Sequence, residues 1–235
     1  MLLFGQSIED GEQGYAHALV WLSEAETWSE PCSAFHLSSE RALIVPWPSV
    51  LSENAIYRMV VYPDHIAILK YDVGSNCMSL LDGPPLAGVV SARSPILMTM
   101  EDASLVFACL DCLTLYHWSR QTRSDGVAAW DQRRAVELKE LLPIQNPKKK
   151  LRLIGFKENS GILFVSTDLG IYQINLMSLE LKKLWKGAEI RALIPYMSFY
   201  NPPGISIGTF FCDLRNNSHV IINPLVEQTR FILNV

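Results

Sequence analysis

The 235-residue sequence predicts a mainly β fold, and three observations carry that expectation. Residues 152–185 hold four short runs, Leu153-Ile154-Gly155-Phe156, Ile162-Leu163-Phe164-Val165-Ser166-Thr167, Gly170-Ile171-Tyr172-Gln173-Ile174-Asn175 and Glu180-Leu181-Lys182-Lys183-Leu184-Trp185. Turn chemistry separates them at Glu158-Asn159-Ser160-Gly161, Asp168-Leu169-Gly170 and residues 175–178, as in a four-stranded antiparallel meander. Strand-to-turn junctions of one kind recur at Ser23, Asp72, Ser119 and Asn175, with spacings of 49, 47 and 56 residues. A period of about 50 with four strands per repeat is propeller-like. Finally, the chain lacks the β-α-β alternation that an α/β fold requires. The expected architecture is all-β: a partial (open) β-propeller of about four to five four-stranded antiparallel blades.

Taken in order, residues 1–14 are polar and glycine-containing and are read as a flexible, frayed N-terminus. Strands are expected over 16–22, 34–37 and 42–47, the last closed by Pro46 and Pro48, which cannot donate to a central ladder. A second unit takes strands at 56–62, 65–71, 77–81 and 96–100, punctuated by Pro63-Asp64, Asp72-Val73-Gly74 and Asp82-Gly83-Pro84-Pro85. A third has 105–109 and 113–119, then a polar loop running to Trp130. Ala135, Leu138 and Leu142 recur at helical spacing and predict a short helix over 135–142, stopped by Pro143. The propeller domain is expected to occupy 15–203. Residues 204–235, with β-like runs at 205–211 and 220–222, form a divergent last blade or a C-terminal tail.

Composition excludes several classes. Twenty Lys and Arg against 24 Asp and Glu give a net charge of −4, which supplies no broad electrostatic footprint for nucleic acid or an anionic membrane. No window approaches the roughly 18 uninterrupted apolar residues of a membrane span, and the start lacks the basic region of a signal peptide. Five scattered cysteines suit reduced thiols, so the expected location is cytoplasmic or nuclear, and Asn216-Asn217-Ser218 is not read as a glycosylation site.

Motifs that could carry chemistry are each better explained by structure. Gly204-Ile205-Ser206-Ile207-Gly208 has the G-x-S-x-G form, followed by Asp213 and His219 in hydrolase order. Prolines precede it and β-prone residues follow, whereas a nucleophile elbow needs a strand-to-helix turn. Cys109-Leu110-Asp111-Cys112 is a lone C-x-x-C without the further ligands zinc needs. On one strand its sulfurs would point to opposite faces; across a hairpin turn at Leu110-Asp111 they would face each other. The five histidines, 17, 36, 65, 117 and 219, are dispersed and are read as strand or loop residues with satisfied rings. Asp72, Asp82, Asp102, Asp125 and Asp168 sit at strand exits, where carboxylates fold back onto local amides. A pair meeting at a propeller axis would instead suit a hydrolase, which is the alternative class. Pro147-Lys148-Lys149-Lys150 is read as a solvated loop rather than an import signal. No catalytic residue, metal site or cofactor is expected. Among six tryptophans, Trp130 is the best exposed partner-binding candidate because it follows a long polar stretch.

Several pieces in fixed order resemble a known family. They are Trp118-Ser119-Arg120 after an alternating strand, Val136-Glu137-Leu138-Lys139-Glu140-Leu141-Leu142-Pro143, Arg152-Leu153-Ile154-Gly155-Phe156, Gly170 to Leu176, Leu181-Lys182-Lys183-Leu184, and Ile194-Pro195-Tyr196-Met197-Ser198-Phe199-Tyr200. Together they resemble the β-propeller domain of plant, and especially grass, F-box proteins, over most of residues 15–203. The resemblance implies a non-catalytic module that recognises a protein partner or ubiquitination substrate for a cullin-type ligase. The sequence opens in what resembles a middle blade and lacks the F-box, so binding of a Skp1-type adaptor is not implied. The expected arc leaves blade faces exposed and is of marginal stability. A truncated product without independent function is the remaining alternative.

Overall fold

The structure is a computed structural model that describes residues 2–9, 13–22, 26–28, 32–37, 42–45, 49–86, 93–122, 124, 126–146, 151–186, 195–196, 209–213, 218–222 and 230–231. Two compact units divide the chain, Met1–Pro85 and Leu86–Val235.

In the first unit, β1 (Leu2–Glu9) pairs along its length with β2 (Gln13–Leu22). The expected frayed start over 1–14 is therefore corrected: most of it is a strand. Asp10-Gly11 lies between the two paired segments, and this dipeptide is a hairpin signal that the polar character of the region concealed. β3 (Thr27–Trp28) and β4 (Phe35–Leu37) pair with opposite ends of β2. The second sheet repeats that device, since β5 (Leu43–Ile44) and β6 (Val50–Ser52) pair with opposite ends of β7 (Ala55–Val61). Pro46 and Pro48, without amide donors, fall in the interval between the two pieces. β8 (Ile66–Asp72) and β9 (Cys77–Asp82) complete the antiparallel order. A core of Ala16, Leu37, Val60, Tyr62 and Leu69 joins the two sheets, and small alanines on β2 let them approach.

The second unit holds two regular meanders. One is β10 (Arg93–Thr99), β11 (Leu105–Asp111), β12 (Thr114–Thr122) and β13 (Ala128–Glu137); the other is β14 (Arg152–Lys157), β15 (Ile162–Thr167), β16 (Gly170–Asn175) and β17 (Leu181–Trp185). They pack through β10 and β14, and the Thr99 hydroxyl donates to Asn159 Oδ1 at 2.9 Å. Two successive four-stranded meanders stacked in this way are propeller blades, so the chain is an all-β protein of propeller type. The 152–185 meander lies where the sequence places it. The strand expected at 96–100 opens the next sheet rather than closing the previous one.

Two expectations around residue 130 fail for one reason. β13 is the last strand of its sheet and half of its residues are exposed, so its polar sequence reads as a loop even though every residue from Ala128 to Glu137 except Arg133 is held in the ladder. Trp130, expected on a loop, sits in β13 opposite Arg120 and is half-buried. The predicted helix shrinks to α1 (Leu138–Leu141), because Ala135 pairs with Tyr116 instead. Leu138 and Leu142 are buried at the helical spacing, and the Leu138 amide donates to the Leu113 carbonyl at 2.8 Å. Near the C-terminus β18 (Pro195–Tyr196) pairs with β21 (Arg230–Phe231), and β19 (Thr209–Asp213) with β20 (Ser218–Ile222). No helix among the described residues is long and apolar enough to cross a membrane.

Candidate functional site

The candidate site is a cleft of about 690 Å³ within the second unit. It opens at one end of the two blades, where the β10–β11, β14–β15 and β16–β17 turns gather, and each contributes a lining residue: Asp102, Ser160 and Met177. Its inner wall comes from strand alternation. His117, Ser119 and Gln121 lie two residues apart on β12 and share one face. Val106 is the ladder partner of Ser119 on β11 and lies on that face too.

A β-bulge supplies the cations. His117 pairs with Arg134 and Trp118 with Gln132, so Arg133 is an extra residue between two ladder positions. In an unbroken strand neighbouring side chains point to opposite faces. Here both Arg133 and Arg134 line the cleft. The Arg133 guanidinium donates from Nε to Ser119 Oγ at 2.6 Å, while Arg134 makes no hydrogen bond or ion pair among the described residues.

His117 forms part of the floor and is 7% exposed. Burial, with the neighbouring charges of Arg134 and Arg133, lowers its pKa from 6.5 to about 4, so the ring is neutral at pH 7. Its Nδ1 is buried without a hydrogen-bond partner among the described residues, as is Nε1 of adjacent Trp118. A neutral imidazole presents one donor and one acceptor. Across the cleft Glu101 and Asp102 form an acidic lip. Asp102 accepts from the Ser104 hydroxyl at 2.6 Å and amide at 3.0 Å, and these bonds hold its carboxyl below the usual range. The Arg133 charge also acts on Asp102, so the lip and the arginines share one cleft. The cleft thus has a cationic side, an acidic side, and an apolar floor with a neutral ring.

The residues singled out in the sequence are mostly elsewhere. Trp130 does not line the cleft and has an interaction of its own. Cys109 is buried in β11, where burial and Asp111 push its thiol up to about 12. Cys112 is exposed in the following turn at φ 54°. The turn is Cys112-Leu113, two residues later than the Leu110-Asp111 alternative, and one cysteine is interior while the other faces water. Ser206 and Lys148-Lys149-Lys150 lie outside the described residues. Asp213 pairs in register with Ser218, and Cys212 with His219. Asp72 accepts from Ser75, a local closure as expected. Asp168 departs from that pattern and reaches the Asn146 amide at 2.7 Å, tying down the loop after α1. Among the described residues no group of three His, Cys, Asp or Glu could hold a metal ion. Sequence reasoning missed His117, Arg133 and Arg134. The polar run that holds the two arginines gives no sign of the bulge that puts both on one face.

No protein-family model matches the chain, and no curated protein sequence does. Solved structures with similar backbones include the fission yeast SREBP–SCAP binding domains, at 12% identity, 85% of this chain, 54% of that one, and TM-score 0.43. The extracellular domain of a putative hybrid two-component system from B. thetaiotaomicron gives 11% identity, 93% and 28% coverage, and TM-score 0.45. A protein from Lactobacillus plantarum gives 12%, 99% and 71%, and TM-score 0.46. The chain thus spans about half the length of the yeast structure and 28% of the bacterial extracellular domain. The propeller assignment rests on the strand order of its own sheets.

Proposed function

We propose that this chain is a non-catalytic protein-interaction module whose binding face is the cleft end of the β10–β17 blades. The observation that carries this reading is the meeting of three turns around a cleft of mixed character on a rigid pair of sheets. Met177 stands 73% exposed at its edge beside the half-buried Asn175, and two arginines face the same space. An apolar side chain at the rim together with polar and cationic groups gives the cleft the mixed composition of partner-contact surfaces. Rigid blades with binding loops at one end are a common use of such scaffolds. The resemblance to the F-box-associated propeller supports the same reading and makes the partner a ubiquitination substrate.

Proximity labelling with the full chain in plant cells tests it. The Met177→Glu, Arg134→Glu double variant, altered at exposed positions, is expected to lose the proteins labelled by the unaltered chain while keeping its melting temperature. An unchanged labelled set would overturn the assignment of this face.

A further inference from the structure

We infer that the cleft takes a peptide segment carrying one anionic group, carboxylate or phosphate, beside an apolar side chain, with Arg134 as the main reader of the anion. The inference deepens the protein-interaction reading and rests on it.

Three features of the cleft select that chemistry. The first is the bulge, which spends a ladder position to bring a second guanidinium onto the face already holding Arg134. Arg133 is engaged with Ser119, so it is oriented; Arg134 is left with its fork unpaired among the described residues. A guanidinium fork matches a carboxylate or phosphate bidentately, and such charge-assisted bonds are about twice as strong as neutral ones. The second is the floor. Val106 and Leu176 are buried and apolar, His117 is 93% removed from solvent yet has a ring nitrogen without a partner among the described residues, and the volume is in the range of ligand-holding clefts. An apolar group entering there would displace water from a wall that already excludes most of it. The third is the acidic lip. Glu101 and Asp102 would repel a second anion on their side of the cleft, so a run of acidic residues or a polyphosphate backbone is disfavoured. That argues for a peptide and against single-stranded nucleic acid.

The probes are four immobilised octapeptide libraries, degenerate except at a central position fixed as Glu, phosphoserine, Gln or Ser. With the full 235-residue chain, retention on the Glu or phosphoserine library is expected to exceed that on its neutral counterpart by about tenfold or more. Comparing Glu with phosphoserine identifies the source of the anion. Arg134→Gln, at an exposed position, should abolish the preference, and sequencing of retained peptides should show apolar enrichment next to the fixed residue. Glu101→Gln with Asp102→Asn should admit peptides with a second acid. Equal retention on charged and neutral libraries, a preference that survives Arg134→Gln, or no retention on any library would each overturn the inference. Should the charge preference fail while the Met177→Glu, Arg134→Glu variant still loses its labelled partners in cells, only this inference falls. Failure of the charge preference together with an unchanged labelled set would bring down the interaction reading as well.

Discussion

The β10–β13 and β14–β17 sheets share one topology but treat their polar atoms differently. In β14–β17, side chains close the turns: Thr167 accepts from the Leu169 amide at 3.0 Å, the Ser160 hydroxyl donates to the Lys157 carbonyl at 2.9 Å, and Asn175 accepts from Met177 and Ser178 at 2.8 and 3.0 Å. In β10–β13, His117 Nδ1 and Trp118 Nε1, on either side of the bulge, are buried without partners among the described residues. An unpaired buried polar atom costs about 1–3 kcal/mol, so these two features weaken the sheet that carries most of the cleft. Departures from local ideality concentrate where a surface is built for something other than folding.

The largest expected effect tests that contrast in the core. Trp118 is 1% exposed, packs against Phe107 at 5.7 Å between ring centroids, and stacks on Tyr116 at 6.1 Å. Trp118→Ala should lower the unfolding free energy by about 3–5 kcal/mol in urea denaturation. Trp118→Phe keeps much of the volume and removes the orphan N–H, so its cost should be about 1 kcal/mol. Equal losses in the two variants would show that the indole nitrogen is not a liability.

In the regular sheet the sensitive point is backbone geometry. Gly170 has φ +138°, and a Cβ there would collide with the Trp185 carbonyl across the β16–β17 pair. Gly126 also has positive φ, at +81°, but open space surrounds it. Gly170→Ala is expected to cost about 3 kcal/mol and to accelerate amide exchange along β17, whereas Gly126→Ala should cost about 1 kcal/mol. Similar losses at both sites would mean that φ alone, not the carbonyl contact, governs Gly170.

His117 gives the contrast a pH signature. Its pKa is depressed in the folded protein, so between about pH 6.5 and 4 the unfolded chain binds more protons and stability falls as pH drops through that window. Above it the group contributes no pH dependence, and below it the curve flattens. The loss should be on the order of 2 kcal/mol, less than the full shift implies because the ring keeps some solvent contact. His117→Gln should remove this slope. Asp72 and Asp102 are held below their ordinary 3.8, chiefly by bonds from Ser75 and Ser104, so their contribution is lost only at lower pH and should survive the substitution.

The same contrast explains how much was legible. The β14–β17 meander could be read from residues because its apolar runs are buried on both faces and its turns carry their own Asn, Ser and Gly signals. β13 could not, since an outer strand needs one ladder partner and tolerates the polar sequence of a loop. The cleft was half visible. Ser119 and Asn175, two of the four junction residues that marked the repeat, line it, as does Asp102. Its chemistry was hidden because the bulge that brings Arg133 beside Arg134 is a register event between strands, which a single sequence does not display. Trp130 looked exposed for the same reason that its strand looked like a loop.

The smallest expected effect asks whether the well-satisfied sheet also shapes the binding face. Asn175 accepts two amide bonds from the turn that carries Met177, and both residues line the cleft. Asn175→Ala removes the acceptor and should cost about 1 kcal/mol, with faster exchange of the Met177 and Ser178 amides. Asn175→Asp keeps an oxygen in place and should leave that exchange slow. It also adds a negative charge to the wall, so it should weaken retention of the anionic libraries without loosening the turn. Asn175→Ala should do the reverse, loosening the turn while sparing charge preference. If both variants altered retention alike, turn order rather than charge would control the site, and the regular sheet would share the functional role that the bulged one otherwise carries.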